Sequence, residues 1–345
     1  SIEKISMWFE ELTGFREESP EQVRRHLSVD GTRLKSHGND KEYVCGRLEI
    51  ASLAELRNRV RDEIQPVGKI SVREQLGNVQ AMHQEVSNAG ALFQVASQFN
   101  LLEMVSPNVT PEQGISRYEY DGTQGPACAI AAGAGTIYRN YFVNLDGQLG
   151  QTADRQIDCL ADLGQKLGNR DNCLWEMKNG YALASREGLI EISRIIDACN
   201  DAERDDLRSL LRIGLQWNTE VTLGPSHHTV TQAYCSALPV AYSQQPSSLW
   251  ESFARLILEA SYEATLCAGL LNARETGNAR VYLTLLGGGA FGNSMPWITD
   301  AIYRALETYK AFDLEVYIVS FRRSNDAIQE LMSKFYNIIY SDIIT

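Results

Sequence analysis

Proline is scarce, 9 in 345 residues, and no segment stays apolar for the length a bilayer crossing needs. Neither a proline-rich extended chain nor a membrane helix is expected. Basic residues are outnumbered, 32 Lys and Arg against 44 Asp and Glu, and the net charge is −12. No long Lys/Arg-rich block occurs, which argues against a nucleic-acid partner, because neutralising phosphates takes a basic face. Arg57–Arg61 reads as the solvated face of an amphipathic helix. The 7 cysteines (Cys45, Cys128, Cys159, Cys173, Cys199, Cys235 and Cys267) form no CxxC pair and no metal-ligand spacing. Dispersed, odd in number and partly set in apolar runs, they point to free thiols and a reducing, intracellular compartment, as does the lack of a secretory signal. GxSxG, HExxH and Walker A patterns are also missing. His227-His228 lacks converging partners, so no metal site and no cofactor is expected.

What remains is an ordinary globular composition with 26 glycines and 44% apolar residues. Ser19-Pro20-Glu21-Gln22 predicts a helix toward Leu27. Lys35–Ile50 predicts a hairpin turning at Gly38-Asn39-Asp40, and Ser52-Leu53-Ala54-Glu55 a capped helix. Ser71-Val72-Arg73-Glu74 reads as a further capping box. Gly90–Ala96 is a short buried strand, and Leu174–Leu183 a hairpin with a type I′ turn at Asn179-Gly180. Ser185–Ala198 is helical by period. The last third alternates: Val230–Tyr242 strand-like, a long helix capped at Ser248-Leu249-Trp250-Glu251, strand Arg280–Leu286, a helix from about Ser294 to Tyr309, and strand Leu314–Ser320. This alternation predicts an α/β layered fold with a partly parallel sheet.

Four segments carry candidate chemistry. Gly287-Gly288-Gly289-Ala290-Phe291-Gly292-Asn293 follows a buried strand and precedes a helix. Backbone amides at such a turn cradle anions, and the glycines let the main chain come close. Gln98-Phe99-Asn100 ends another buried strand, where open α/β sheets place ligands. Asp121-Gly122-Thr123-Gln124-Gly125-Pro126 opens an Ala/Gly-rich stretch, with Glu119 just before it. Glu220, between β-branched neighbours in Trp217–Thr222, is a second candidate acid. For any single one of these acids a solvated surface carboxylate is the plainer reading.

Together these segments resemble the macrodomain superfamily, and more closely its MavL-type ADP-ribosyl hydrolases. Poly(ADP-ribose) glycohydrolases are more distant relatives. Leu92–Asn100 resembles the strand whose terminal Asn contacts the distal ribose, and Leu283–Asn293 the loop that wraps the diphosphate. The glycohydrolases' Gly-Gly-Gly…Gln-Glu-Glu loop is absent, and Tyr118–Arg139 stands in its place. The resemblance implies a three-layer α/β/α mixed sheet over residues 71–345, with residues 1–70 as an extension packed on the core. It further implies binding of ADP-ribose and its cleavage from modified protein, ubiquitin among them, at the distal ribose anomeric carbon. Gln98, Asn100 and Gly287–Asn293 would then bind ligand, with Phe99, Phe291 or Tyr138 stacking on adenine. Asp121 or Glu220 would act on water or the leaving group, with Glu119 and Gln124 as further polar candidates. The alternatives are a non-catalytic ADP-ribose reader and a hydrolase of a small ADP-ribose-derived metabolite.

Overall fold

Ser19 caps its helix as the spacing predicts, its side chain accepting from Gln22 N. In the computed structural model, which describes residues 7–344 with side chains through Asn337, helix α1 (Trp8–Thr13) stops at Gly14, where φ is 82°. Helix α2 (Pro20–His26) runs directly into strand β1 (Leu27–Asp30). This strand pairs antiparallel with β2 (Arg33–Ser36), which pairs with β3 (Glu42–Val44) across the expected Gly38-Asn39-Asp40 turn. Trp8, Phe9, Leu12, Val23, Leu34 and Tyr43 are buried against Ile115, Tyr118, Ile130, Ile137 and Tyr141, making a second apolar core beside the main one.

Strand β4 (Arg47–Ser52) and helix α3 (Leu53–Glu63) follow, joined by a complete capping box between Ser52 and Glu55. Next come β5 (Ile70–Leu76), α4 (Val79–Gln84), β6 (Leu92–Ala96), α5 (Gln124–Ala131) and α6 (Gly133–Ile137). A π-helical turn at Tyr138–Phe142 extends α6. The short pair β7 (Asn144–Leu145) and β8 (Gln148–Leu149) leads to α7 (Ala161–Leu167) and the hairpin β9 (Trp175–Lys178) and β10 (Tyr181–Ala184). Asn179 and Gly180 both take positive φ, 46° and 85°, as a type I′ turn requires. Helices α8 (Arg186–Ala198) and α9 (Asp201–Ser209) precede β11 (Arg212–Glu220) and β12 (Thr229–Cys235). The chain then alternates through α10 (Ser247–Thr276), β13 (Arg280–Leu283), α11 (Met295–Thr308), β14 (Leu314–Ser320) and α12 (Asp326–Ile344).

The seven-stranded sheet has the order β4-β11-β12-β6-β13-β14-β5. β4, β11 and β12 are antiparallel, and β12, β6, β13, β14 and β5 are parallel, so the sheet is mixed as expected. Helix α10 lies along one face and α5 and α6 cover part of the other. Because β4 is an edge of this sheet, residues 47–63 belong to the main fold; only the part before β4 packs as an addition.

Two expectations are corrected. Ser71–Glu74 is strand, not a helix start: Ile70 and Val72 alternate into the core and the segment pairs with β14 throughout. Tertiary pairing overrides the local cap signal here. Glu74 instead accepts from Ser320 and Ser324 hydroxyls, Asn325 N and Gln329 Nε2. Although desolvation opposes it, these bonds hold the carboxyl at a pKa of about 2. The long helix begins one residue before Ser248, with Pro246 in the cap position and no side-chain cap bond. At the β5 edge, the Tyr336 hydroxyl takes the hydrogen bond from Val72 N and donates to Val72 O, substituting for a neighbouring strand.

His83 is fully buried, stacked on Phe93 at 3.8 Å. Its Nδ1 donates to Val79 O and its Nε2 accepts from Gln232. Burial lowers its pKa to about 4, with His228 adding to the effect and the Val79 carbonyl opposing it. The folded state therefore keeps His83 neutral while the unfolded chain binds the proton near pH 6.5, so stability present above pH 6.5 is lost as pH falls toward 4. Unfolding in urea from pH 7 to 4 will show wild type losing about 3 kcal/mol relative to His83→Phe, each tenfold difference in proton affinity being worth about 1.4 kcal/mol.

Candidate functional site

The parallel strands β6, β12 and β13 end together, and beyond their carboxyl ends lies a cleft of about 290 Å³. Its existence follows from how β13 leaves the sheet. β13 pairs with β6 only at Leu92 and Phe93. Past that point two glutamine carboxamides replace the ladder. Gln124 accepts from Ala96 N and donates to Gln94 O, while the Gln94 side chain accepts from Thr284 N and donates to Thr265. The strands part and leave space between them.

One wall is the segment after β6. Gln98 N bonds Leu102 O, Leu101 N bonds Gln98 O, and Leu101 adopts a φ of 66°, unusual for a residue with a side chain. This tight turn brings Glu103 back to the cleft. Glu103 is 4% exposed, and its Oε1 has no hydrogen-bond partner among the described residues. Desolvation pushes its carboxyl well above the ordinary range; the nearby Arg139 opposes the shift and Asp121 adds to it. Arg139 is itself buried, donating to Leu101 O, Gln216, Thr136 and Tyr234, with its guanidinium 3.7 Å above the Tyr234 ring. Glu103 and Gly125 both line the cleft, and Gly125 sits so close to the Glu103 carboxyl and to Ala96 O that any Cβ there would strike them.

The facing wall is the glycine-rich loop, of which Gly287, Gly289, Ala290 and Phe291 line the cleft. The amides of Gly288, Gly292 and Asn293 are used inside the loop, bonding Leu285 O, Gly289 O and Gly287 O. Those of Gly289, Ala290 and Phe291 make no such bond among the described residues. Asn293 ties the loop to the β12 end by donating to Leu238 O. Gly287 (φ 73°) has no room for a Cβ, which would meet Ala237 and the Asn293 side chain. Phe291 packs against Tyr181 and Tyr242 at 5.3 and 5.5 Å. A second hollow of about 310 Å³ shares Thr284 and Leu285 with the first and includes Phe321 and Arg323 at the end of β14. Phe321 is 64% exposed, with the Arg322 guanidinium 5.0 Å from its ring.

The sequence-predicted residues divide accordingly. Gln98, Asp121, Gln124, Gly287, Gly289, Ala290 and Phe291 meet at the cleft. Asp121 accepts from Thr123 N and Oγ1, leaving one carboxylate oxygen outside that turn. Gln124 lines the cleft, but both ends of its amide are held by β6. Phe99 does not reach the cleft: its ring is 2% exposed in the main core. Asn100 is fully buried, bonding Gln156 and Leu102 N, so it faces away from any ligand. Tyr138 packs between the two cores. Glu119 is exposed and accepts from Met7 N. Glu220 lies at the opposite end of the sheet, because β11 runs antiparallel to β12; there it bonds Val44 N and His227. Glu103, which the sequence reading missed, was marked by one signal: a lone acid within Leu101-Leu102-Glu103-Met104-Val105.

Among the described residues no group of three or more His, Cys, Asp or Glu converges as a metal site would, and no helix is long and apolar enough to cross a membrane. No family model matches the chain, and no curated protein matches it. Solved structures do. Poly(ADP-ribose) glycohydrolase from Deinococcus radiodurans, in complex with ADP-ribose, is 11% identical with a TM-score of 0.42, over 94% of this chain and 99% of that one. The glycohydrolase from Thermomonospora curvata is 11% identical with a TM-score of 0.43, over 91% and 95%, and its complex with the inhibitor ADP-HPD is 12% identical with the same score. Likeness at this level extends no activity and no residue role to this chain.

Glu103 has its pKa raised in the folded state, so it binds a proton there that the unfolded chain releases at ordinary carboxylate pH. Its stability contribution is intact below that range and is lost as pH rises through the raised pKa. Glu103→Gln will therefore be more stable than wild type at pH 8, by roughly 1–3 kcal/mol for relieving a buried unpaired acid. The gain will vanish at pH 4, as read by thermal melts at the two pH values. Gly125→Ala, whose Cβ would strike Ala96 O and the Glu103 carboxyl, will be less stable than wild type at both pH values.

Proposed function

We propose that the chain is an ADP-ribosyl hydrolase that cleaves ADP-ribose from modified protein at the anomeric carbon of the distal ribose. The observation that carries this reading is the buried Glu103 carboxyl at the cleft, its Oε1 without a partner among the described residues, beside a second acid, Asp121, and across from amides that likewise hold none among those residues. Two carboxyl groups in unlike environments are what glycosidic cleavage needs: one kept protonated to donate, one ionised to accept. In this reading the amides of Gly289, Ala290 and Phe291 hold the diphosphate, and Phe321 with Arg322 and Arg323 offers a stacking and charge platform for the nucleotide end.

The step balances within the site. Water oxygen bonds to the anomeric carbon as the bond from that carbon to the protein-derived leaving atom breaks, its electron pair leaving with that atom. Glu103 gives its proton to the leaving atom, and Asp121 takes the proton that the attacking water loses. Proton exchange with solvent then restores both acids. Phe291, Tyr181 and Tyr242 shield the developing oxocarbenium-like centre from bulk water. The substrate class is a protein bearing ADP-ribose, with ubiquitin, implied by the sequence resemblance, as the first carrier to test.

Incubation with ADP-ribosylated ubiquitin, followed by mass spectrometry, will show released ADP-ribose and unmodified ubiquitin. Calorimetry will show binding of free ADP-ribose. Glu103→Gln and Asp121→Asn will each lower turnover by about 10²–10⁴-fold, the usual contribution of a positioned acid or base, with binding of free ADP-ribose retained. Turnover will fall as pH rises through the raised Glu103 pKa. Binding without release from any modified protein would make the chain a reader. Absence of binding would overturn the assignment.

A further inference from the structure

Glu17 lies in the segment before β1, about a hundred residues from either cleft acid, yet its carboxylate gathers donors from the loop that carries them. Its Oε1 accepts from Ile115 N at 3.0 Å, Ser116 N at 2.9 Å and Ser116 Oγ at 2.7 Å. Its Oε2 accepts from Ile115 N at 3.1 Å and from the Tyr141 hydroxyl at 2.5 Å. Gly114 is bare because the Glu17 carboxylate occupies the place of its Cβ. Trp8 Nε1 adds a bond to Ser116 O from α1.

The grip passes directly to the cleft. Tyr118 N bonds Ile115 O, one residue from the Ser116 amide that Glu17 holds. Tyr118 then serves both acids. Its hydroxyl oxygen accepts from Glu103 N at 2.9 Å, and its carbonyl accepts from Asp121 N at 3.2 Å. An apolar side chain at this position would leave the Ile115 and Ser116 amides and the Tyr141 hydroxyl without this acceptor. A carboxylate that collects four separate donor groups fixes a loop to within tenths of an ångström, and glycosidic chemistry needs that accuracy because the two acids must straddle one carbon.

We infer that Glu17 is a positioning residue: the N-terminal segment sets the spacing of Glu103 and Asp121 through residues 115–118. The inference rests on the reading of the cleft as a hydrolase site, and its test separates the two. Glu17→Ala and the milder Glu17→Gln are compared with wild type on ADP-ribosylated protein, with calorimetry on free ADP-ribose and amide hydrogen exchange in the absence of ligand. The expected result for Glu17→Ala is a fall in kcat of at least about 10-fold, on the scale that ångström-level misplacement produces, with KM and ADP-ribose affinity changed less than about 3-fold. Glu17→Gln, which keeps one acceptor oxygen, will recover part of kcat. Exchange at the Glu103, Ser116 and Asp121 amides will quicken in both variants while that of β6 and β12 stays as in wild type. Unchanged exchange at Glu103 and Asp121 overturns the clamp whether or not the protein is a hydrolase. So does a kcat within 2-fold of wild type, or a loss of protection spread evenly over the sheet. Quickened exchange at those amides in the variants, where the wild-type protein releases no ADP-ribose, keeps the clamp and overturns the hydrolase reading alone.

Discussion

The cleft depends on one departure from regular pairing: β6 is flanked on both sides at Leu92 and Phe93 but loses β13 beyond them. A strand that loses its neighbour in a sheet interior leaves buried amides and carbonyls without partners, which costs more than the strand pairing itself gains. Here the cost is met by side chains. Gln124 bonds both Gln94 O and Ala96 N as a strand would, and Gln94 reaches across to Thr284 N. The gap can therefore stay open without bare backbone, and α5, which Gln124 begins, is fixed against β6 by the same bonds. The glycine loop on one side and the Gln98–Glu103 turn on the other then face each other across a space that packing does not fill.

Around that space the protein keeps groups in states that folding alone would not choose. Glu103 is buried with an oxygen unsatisfied, Arg139 is buried with no carboxylate within ion-pair distance among the described residues, and Leu101 is held at positive φ. Each destabilises the folded chain, and all three occur within a few residues or bonds of one another. Elsewhere charge is treated conventionally: Glu263, equally buried, is ringed by Arg57, Arg304 and the Tyr309 hydroxyl. The contrast between two buried glutamates, one ringed by partners and one not, is what the proposed acid role of Glu103 rests on.

Local signals in the sequence were read well wherever the physics is local. The Ser52 capping box and the Asn179-Gly180 turn depend on neighbouring residues alone. Failures came where distant chain decides. Ser71–Glu74 has the letters of a helix cap but pairs with a strand more than two hundred residues away. Glu220 stands in a strand like that of a catalytic acid, but strand direction, invisible to periodicity, sends it to the wrong end of the sheet. Asn100 sits beyond the correct strand and is turned inward by the positive-φ residue after it. The glycine loop was legible as a cleft wall because adjacent glycines in such number exceed what a tight turn alone requires. Glu103 was not, because an acid in an apolar run gains meaning only when the turn that buries it is seen.

The far edge of the sheet carries a consequence of its own. Val72 offers an amide and a carbonyl outward from β5, and a single phenol on α12 satisfies both. Glu74 fastens the start of that helix through four bonds, from Ser320 at the end of β14, Ser324 and Asn325 in the turn, and Gln329 in the helix. The last helix thus both borders the sheet and closes its core with Ile328, Leu331 and Phe335: a fragment cut before Asp326 would keep every residue assigned to the cleft, yet expose that core and a parallel strand edge. Such a fragment would find its missing neighbour in another copy of itself, so solubility on trimming from this end would be lost before the cleft was touched.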